Sequence, residues 1–349
     1  MVIKILLRSS LVCAWAFLIV TLVLGQANQP MPAPAQAKPS PLAQAQALLA
    51  AGQVDSAIEA LKSIPKPSSD ESLLNHLFGL AYYQKNDYSR AVQHLSISAR
   101  QSKEGSAQYR QAIQLLGMSH YFLGHSKEAV TYLEMVKLWL PDNLENTYAL
   151  GVSYIQTHNL DKARESFARM FAVSPSSASA FLINAQMLKR LQFEEFAEKE
   201  LVRALELDPK LPQANFLLGE LAIYQANLEK GIELLKKEIA INPGFGMSYY
   251  MLGEAYTRQL KWDDAIAPLQ KSIWLNPFFS GPYIALGKVY LKKGDLPNAE
   301  SMLKRALTMD PNNYSGHYLL AQVLQQAKRI EEAKKEFEIA ESLRTATSK

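Results

Sequence analysis

Along most of this chain, apolar residues recur at three- and four-residue steps with polar residues between them, the pattern of amphipathic helices. Between residues 144 and 175, Leu150, Gly151 and Tyr154 share one helical face, and Ala163, Phe167 and Met170 share another. The polar stretch His158-Asn159-Leu160-Asp161 separates the two, with Asp161 placed to cap the second helix. Pro175 follows, where it blocks further helix and pushes the residue before it into an extended conformation. The stretch predicts two helices joined by a turn.

That pattern has a period. Pro141, Pro175, Pro209, Pro243, Pro277 and Pro311 stand 34 residues apart. Small residues keep the same interval at Gly117, Gly151, Ala185, Gly219, Gly253, Gly287 and Ala321, and again at Ala129, Ala163, Ala197, Gly231, Ala265, Ala299 and Ala333. Small residues on facing helices allow close approach. A single helix pair cannot bury its own apolar face, so stacking on neighbours must complete the core. Two residues depart from the pattern. Pro268 falls inside a second helix, where it is expected to remove a backbone bond and kink the helix. Asn184 occupies an apolar position and is expected to be a buried amide with its hydrogen bonds satisfied.

The units resemble the tetratricopeptide repeat. Residues 280–313 carry Tyr283, Leu286, Gly287, Tyr290, Ala299, Leu303, Ala306 and Pro311 at that family's marked positions; residues 246–279 carry Tyr249, Leu252, Gly253, Tyr256, Ala265, Leu269, Ser272 and Pro277. The resemblance implies an all-α, right-handed superhelical solenoid of about nine such units over residues 42–349. They begin at Lys38, Ser72, Arg110, Leu144, Ala178, Pro212, Gly246, Ser280 and Tyr314. It also implies that a partner lies along the concave face of the first helices. The partner-binding groove expected on that ground comprises Tyr83, Met118, Tyr121, Tyr148, Phe216, Tyr224, Tyr250 and Tyr318, with Glu220, Glu254, Arg258 and Lys288 as scattered charge. Some of these side chains could equally pack against the neighbouring repeat. No unit has the Lys at its fifth position or the Asn at its sixth that family members use to clamp acidic chaperone tails.

Ahead of the repeats, Lys4 and Arg8 precede the uncharged run Leu11–Leu24 and the small-residue site Gly25-Gln26-Ala27. Residues 1–27 read as a secretory signal peptide, or as an N-terminal anchor if uncleaved, although Leu11–Leu24 falls short of the ~20 apolar residues that span a bilayer. Residues 28–41 are a Pro/Ala-rich linker. The protein is therefore expected to be exported, periplasmic or extracellular, or tethered to the inner membrane if the segment stays uncut.

Lys and Arg number 37 and Asp and Glu 33, a net +4 too weak to mark a nucleic-acid partner. Cys13 is the sole cysteine, so neither an intramolecular disulfide nor a cysteine zinc site can form. No phosphate loop, zinc-protease or nucleophile-elbow motif is present, and His120 and His125 are five residues apart rather than four. No catalytic residue, metal site or cofactor is expected. The sequence reads as a non-catalytic scaffold that binds a peptide segment or helix of another protein. Its rivals are a membrane-anchored scaffold and a glycan-binding component of envelope polysaccharide assembly, since sugars also stack on Tyr and Phe.

Overall fold

The computed structural model describes residues 40–65, 68 and 70–346. The expected signal or anchor at 1–27 lies outside the described residues, as does the linker except for Ser40 and Pro41. Those two begin the first helix: the Ser40 side chain accepts a hydrogen bond from the Ala43 N–H, and Pro41 opens the first turn. The solenoid thus starts one residue earlier than expected, because Pro suits a position whose N–H has no helical partner.

The described residues form 18 helices in consecutive pairs. The first helices are α1 (Pro41–Ala50), α3 (Glu71–Gln84), α5 (Ala107–Phe122), α7 (Leu144–Gln156), α9 (Ala178–Arg190), α11 (Ala214–Tyr224), α13 (Gly246–Arg258), α15 (Ser280–Lys293) and α17 (Tyr314–Gln326). The second helices are α2 (Val54–Lys62), α4 (Tyr88–Gln101), α6 (Ser126–Trp139), α8 (Leu160–Met170), α10 (Glu194–Leu207), α12 (Leu228–Ile241), α14 (Trp262–Leu275), α16 (Leu296–Met309) and α18 (Ile330–Ala346). None is long and apolar enough to cross a membrane.

The periodic small residues sit where the helices of a pair touch. A Cβ on Gly151 would lie 2.7 Å from the ring of Phe167, and one on Gly253 or Gly287 would meet Leu269 or Leu303 at 2.5 and 2.6 Å. The turn between the helices is also the same throughout. His158, Gln192, Ala226, Leu260, Gly294 and Lys328 follow one another at the repeat interval, and all hold positive φ.

First helices of successive pairs touch one another, as in α1–α3, α3–α5, α5–α7, α11–α13, α13–α15 and α15–α17. Second helices make no comparable contact with each other among the described residues. The row of first helices is therefore the tighter one, and the stack curves with that row on its concave side. One apolar cluster runs from Ala45 to Ala255, and two smaller ones follow around Leu286 and Leu303.

Contact between α9 and the neighbouring first helices is thinner than elsewhere in the row, and a polar network joins the apolar packing there. Arg164 on α8 bonds Glu200 on α10 at 3.2 Å, donates to the Pro175 carbonyl at 3.1 Å, and lies over the Phe181 ring on α9. Asn184 donates to Glu200 at 2.9 Å, but its Oδ1 has no partner. The expected satisfied amide is thus only half satisfied.

One further expectation is corrected. Asn159, not Asp161, precedes α8; Asp161 lies in the first turn, where it pairs with Arg164 and faces the positive end of the helix. In the unit that begins at Pro212, the first helix starts at Ala214. Gln213 holds φ 71° there, and its N–H donates to Glu238, a fully buried carboxylate standing where the units on either side have Ala204 and Ser272. Pro268 stands inside α14 as expected, and the helix runs through it to Leu275.

The Gly151–Phe167 approach gives a direct check. Gly151→Ala is expected to lower stability by about 1–3 kcal/mol, because the fully buried ring must shift to admit a methyl group. An unchanged or raised thermal midpoint would refute the close-approach account.

Candidate concave binding face

Of the eight residues expected in the groove, Met118 and Phe216 belong to the core, each 8% exposed. Phe216 is covered by Phe245, whose ring meets it edge-on at 5.1 Å. Tyr83, Tyr121, Tyr148 and Tyr250 are half-buried, while Tyr224 and Tyr318 are 67% and 40% exposed. Phe245 and Phe279, just ahead of α13 and α15, thus cover part of the face.

These residues fall into two groups. Toward the N-terminus, Tyr83 lies 5.6 Å from Tyr88; Phe122 stacks on Tyr88 at 4.6 Å and touches Tyr121 at 5.2 Å. Toward the C-terminus, α13, α15 and α17 enclose a cleft of about 620 Å³. Tyr250, Ile284 and Tyr318, the fifth residues of three consecutive units, line it together with Phe279 and Tyr314. Tyr314 and Tyr318 stack at 5.8 Å, and Phe279 meets Tyr250 edge-on at 5.2 Å. The fifth-position pattern does not reach Phe279 and Tyr314, which stand at the very start of α15 and α17 rather than on their inner rows. Phe245 and Phe279, one repeat apart and each just ahead of a first helix, were the available signal.

Glu254, Lys288 and Asp310 also line the cleft. Burial raises the proton affinity of Glu254 above the ordinary glutamate range, outweighing Lys288 and Arg258, which oppose it. Burial, with Glu254 and Tyr224 adding to it, pushes the Tyr250 hydroxyl up to about 12, so it stays a protonated donor at neutral pH. Glu220, one repeat before Glu254, is bonded by Lys189. Lys189 is half-buried in that pair.

Other sequence candidates resolve into local structure. His120 and His125 approach through their Nδ1 atoms at 3.4 Å, and burial lowers the proton affinity of His120. Among the described residues no group of three or more His, Cys, Asp or Glu could hold a metal ion. Asp263 pairs with Lys293 and Glu195 with Lys199, all at turns or exposed helix faces.

Residues 247–278 and 290–341 match sequence models of the tetratricopeptide repeat. Those two stretches, in the α13–α14 pair and from the end of α15 through α18, are tetratricopeptide repeats. No curated protein matches the chain. Among solved structures of similar fold, MamA is 24% identical, with 46% of this chain and 94% of that one covered at a TM-score of 0.43. YrrB, described as a tetratricopeptide-repeat protein with an unusual peptide-binding site, is 20% identical over 52% of this chain and 93% of its own, at 0.45. The Cut9–Hcn1 structure from the APC/C is 16% identical over 81% of this chain and 55% of that one, at 0.44.

The tetratricopeptide register places Glu254 at a position whose burial opposes its charge, and the pH dependence follows from that sign. The folded state holds the proton more tightly than the unfolded chain, so the ionised carboxylate destabilises the fold above the raised value. That cost fades as pH falls toward the ordinary glutamate range. Glu254→Gln is therefore expected to be more stable than the parent near neutral pH, with the difference closing under acid. Chemical denaturation at both ends of that window checks it, and a gap that widens on acidification would reverse the assignment.

Proposed function

We propose that this protein is a non-catalytic interaction scaffold that holds a peptide segment or helix of a partner protein along its concave row of first helices. Tetratricopeptide repeats supply the scaffold for protein–protein interaction. The observation that carries the finer reading is the run of half-exposed tyrosines on successive inner helices, which ends in the α13–α15–α17 cleft. Tyrosine offers a large contact area with a polar tip, the combination that binding surfaces favour. The N-terminal order of charge, apolar run and small residues supports an exported setting, in the periplasm or outside the cell, with the inner membrane reached only if the N-terminus stays uncut.

Phe216 is too buried to serve as a probe of the groove, so the test uses the exposed pair. Tyr224→Ser with Tyr318→Ser should leave cooperative unfolding intact and abolish capture of partners from envelope extract. Trp274→Ser, on a second helix and 71% exposed, should not affect capture. Capture lost with Trp274 and kept without the tyrosines would move function to the convex side.

A further inference from the structure

Resting on the concave reading, we propose that the α13–α15–α17 cleft receives an arginine or lysine side chain of the partner, its cation paired with Glu254. The repeat register supplies the reasoning. Glu220 and Glu254 occupy the same place in consecutive units. Glu220 is bonded by Lys189, which reaches it from the first helix of the preceding unit. The residue that stands one repeat after Lys189 is Ile223, fully apolar and buried. The protein therefore bonds a cation to the first carboxylate, whereas among the described residues none is bonded to the second. Among the described residues, no donor bonds Glu254, and burial raises its proton affinity.

The surroundings suit a cation on a long apolar stem. Tyr250 stands on the same helix as Glu254, and the stacked pair Tyr314 and Tyr318 lines the same cleft from α17. Aromatic faces attract guanidinium and ammonium groups and pack well against their methylene stems. Asp310 adds a second carboxylate to the lining, where it accepts from Asn313 at 2.8 Å. Two cations oppose the pairing. Lys288 is exposed, so its ammonium is hydrated, and Arg258 is turned toward the Ile223 carbonyl. Neither forms an ion pair with Glu254, and together they do not overcome the effect of its burial.

The test pans a random-sequence peptide display library on the full chain and then measures the selected peptides against the parent and Glu254→Gln. Enriched peptides should share a basic residue. Their affinity should fall at least about tenfold in Glu254→Gln, and by a similar factor when citrulline replaces arginine or norleucine replaces lysine. Thermal unfolding of the isosteric variant guards against a folding artefact. Enriched peptides without a basic residue, or basic peptides indifferent to Glu254→Gln, overturn the proposal. If such peptides are still lost from the Tyr224→Ser/Tyr318→Ser variant, the concave reading survives and this inference alone falls. A library that yields no binder counts against both.

Discussion

Within each helix pair, a small residue on the first helix lies against a large apolar residue on the second, and everything outward is built on that approach. Gly151 on Phe167, Gly253 on Leu269 and Gly287 on Leu303 set how close the two helices come. The spacing determines the shape of the apolar face that the pair offers to its neighbour. Since no pair can cover that face itself, each unit is completed only by the next, and the first helices are drawn into a continuous inner row. The concave face is thus a by-product of packing, and its side chains are those that packing does not consume.

A repeating backbone creates equivalent places, so individuality resides in departures from the repeat. Glu238 stands where the units on either side have Ala204 and Ser272 and uses that place to hold the N–H of Gln213, resetting the start of α11 by two residues. Glu200 and Asn184 replace apolar contact with a charged network between α8 and α10. Among the described residues, Glu220 is bonded by a cation of the chain and Glu254 is not. In each case one substitution at a fixed register gives a unit a property that its neighbours lack.

The fold was legible in the sequence because three residue series kept one interval, and an interval survives any local error in helix assignment. The candidate site was legible only in part. The fifth-position rule brought Tyr250 and Tyr318 to one cleft, since it reports which way a helix residue points. It failed for Phe216 because it says nothing about Phe245, which folds over that ring from outside the helix. Met118 was lost in the same way, to neighbours that a single-helix pattern does not contain. Asp161 illustrates a smaller error: an acid at a helix start can serve the dipole and a nearby arginine without bonding the backbone.

The thin contact around α9 has a mechanical meaning. A solenoid carries load in series, so its stiffness is governed by its softest joint rather than by its average. Most joints here are apolar and resist small displacements in every direction. At α9 a directional restraint is added to the apolar packing, one guanidinium that spans a carboxylate, a carbonyl and a ring. Tension or torque applied along the molecule would concentrate there, making Arg164 the elastic element between two stiffer arms.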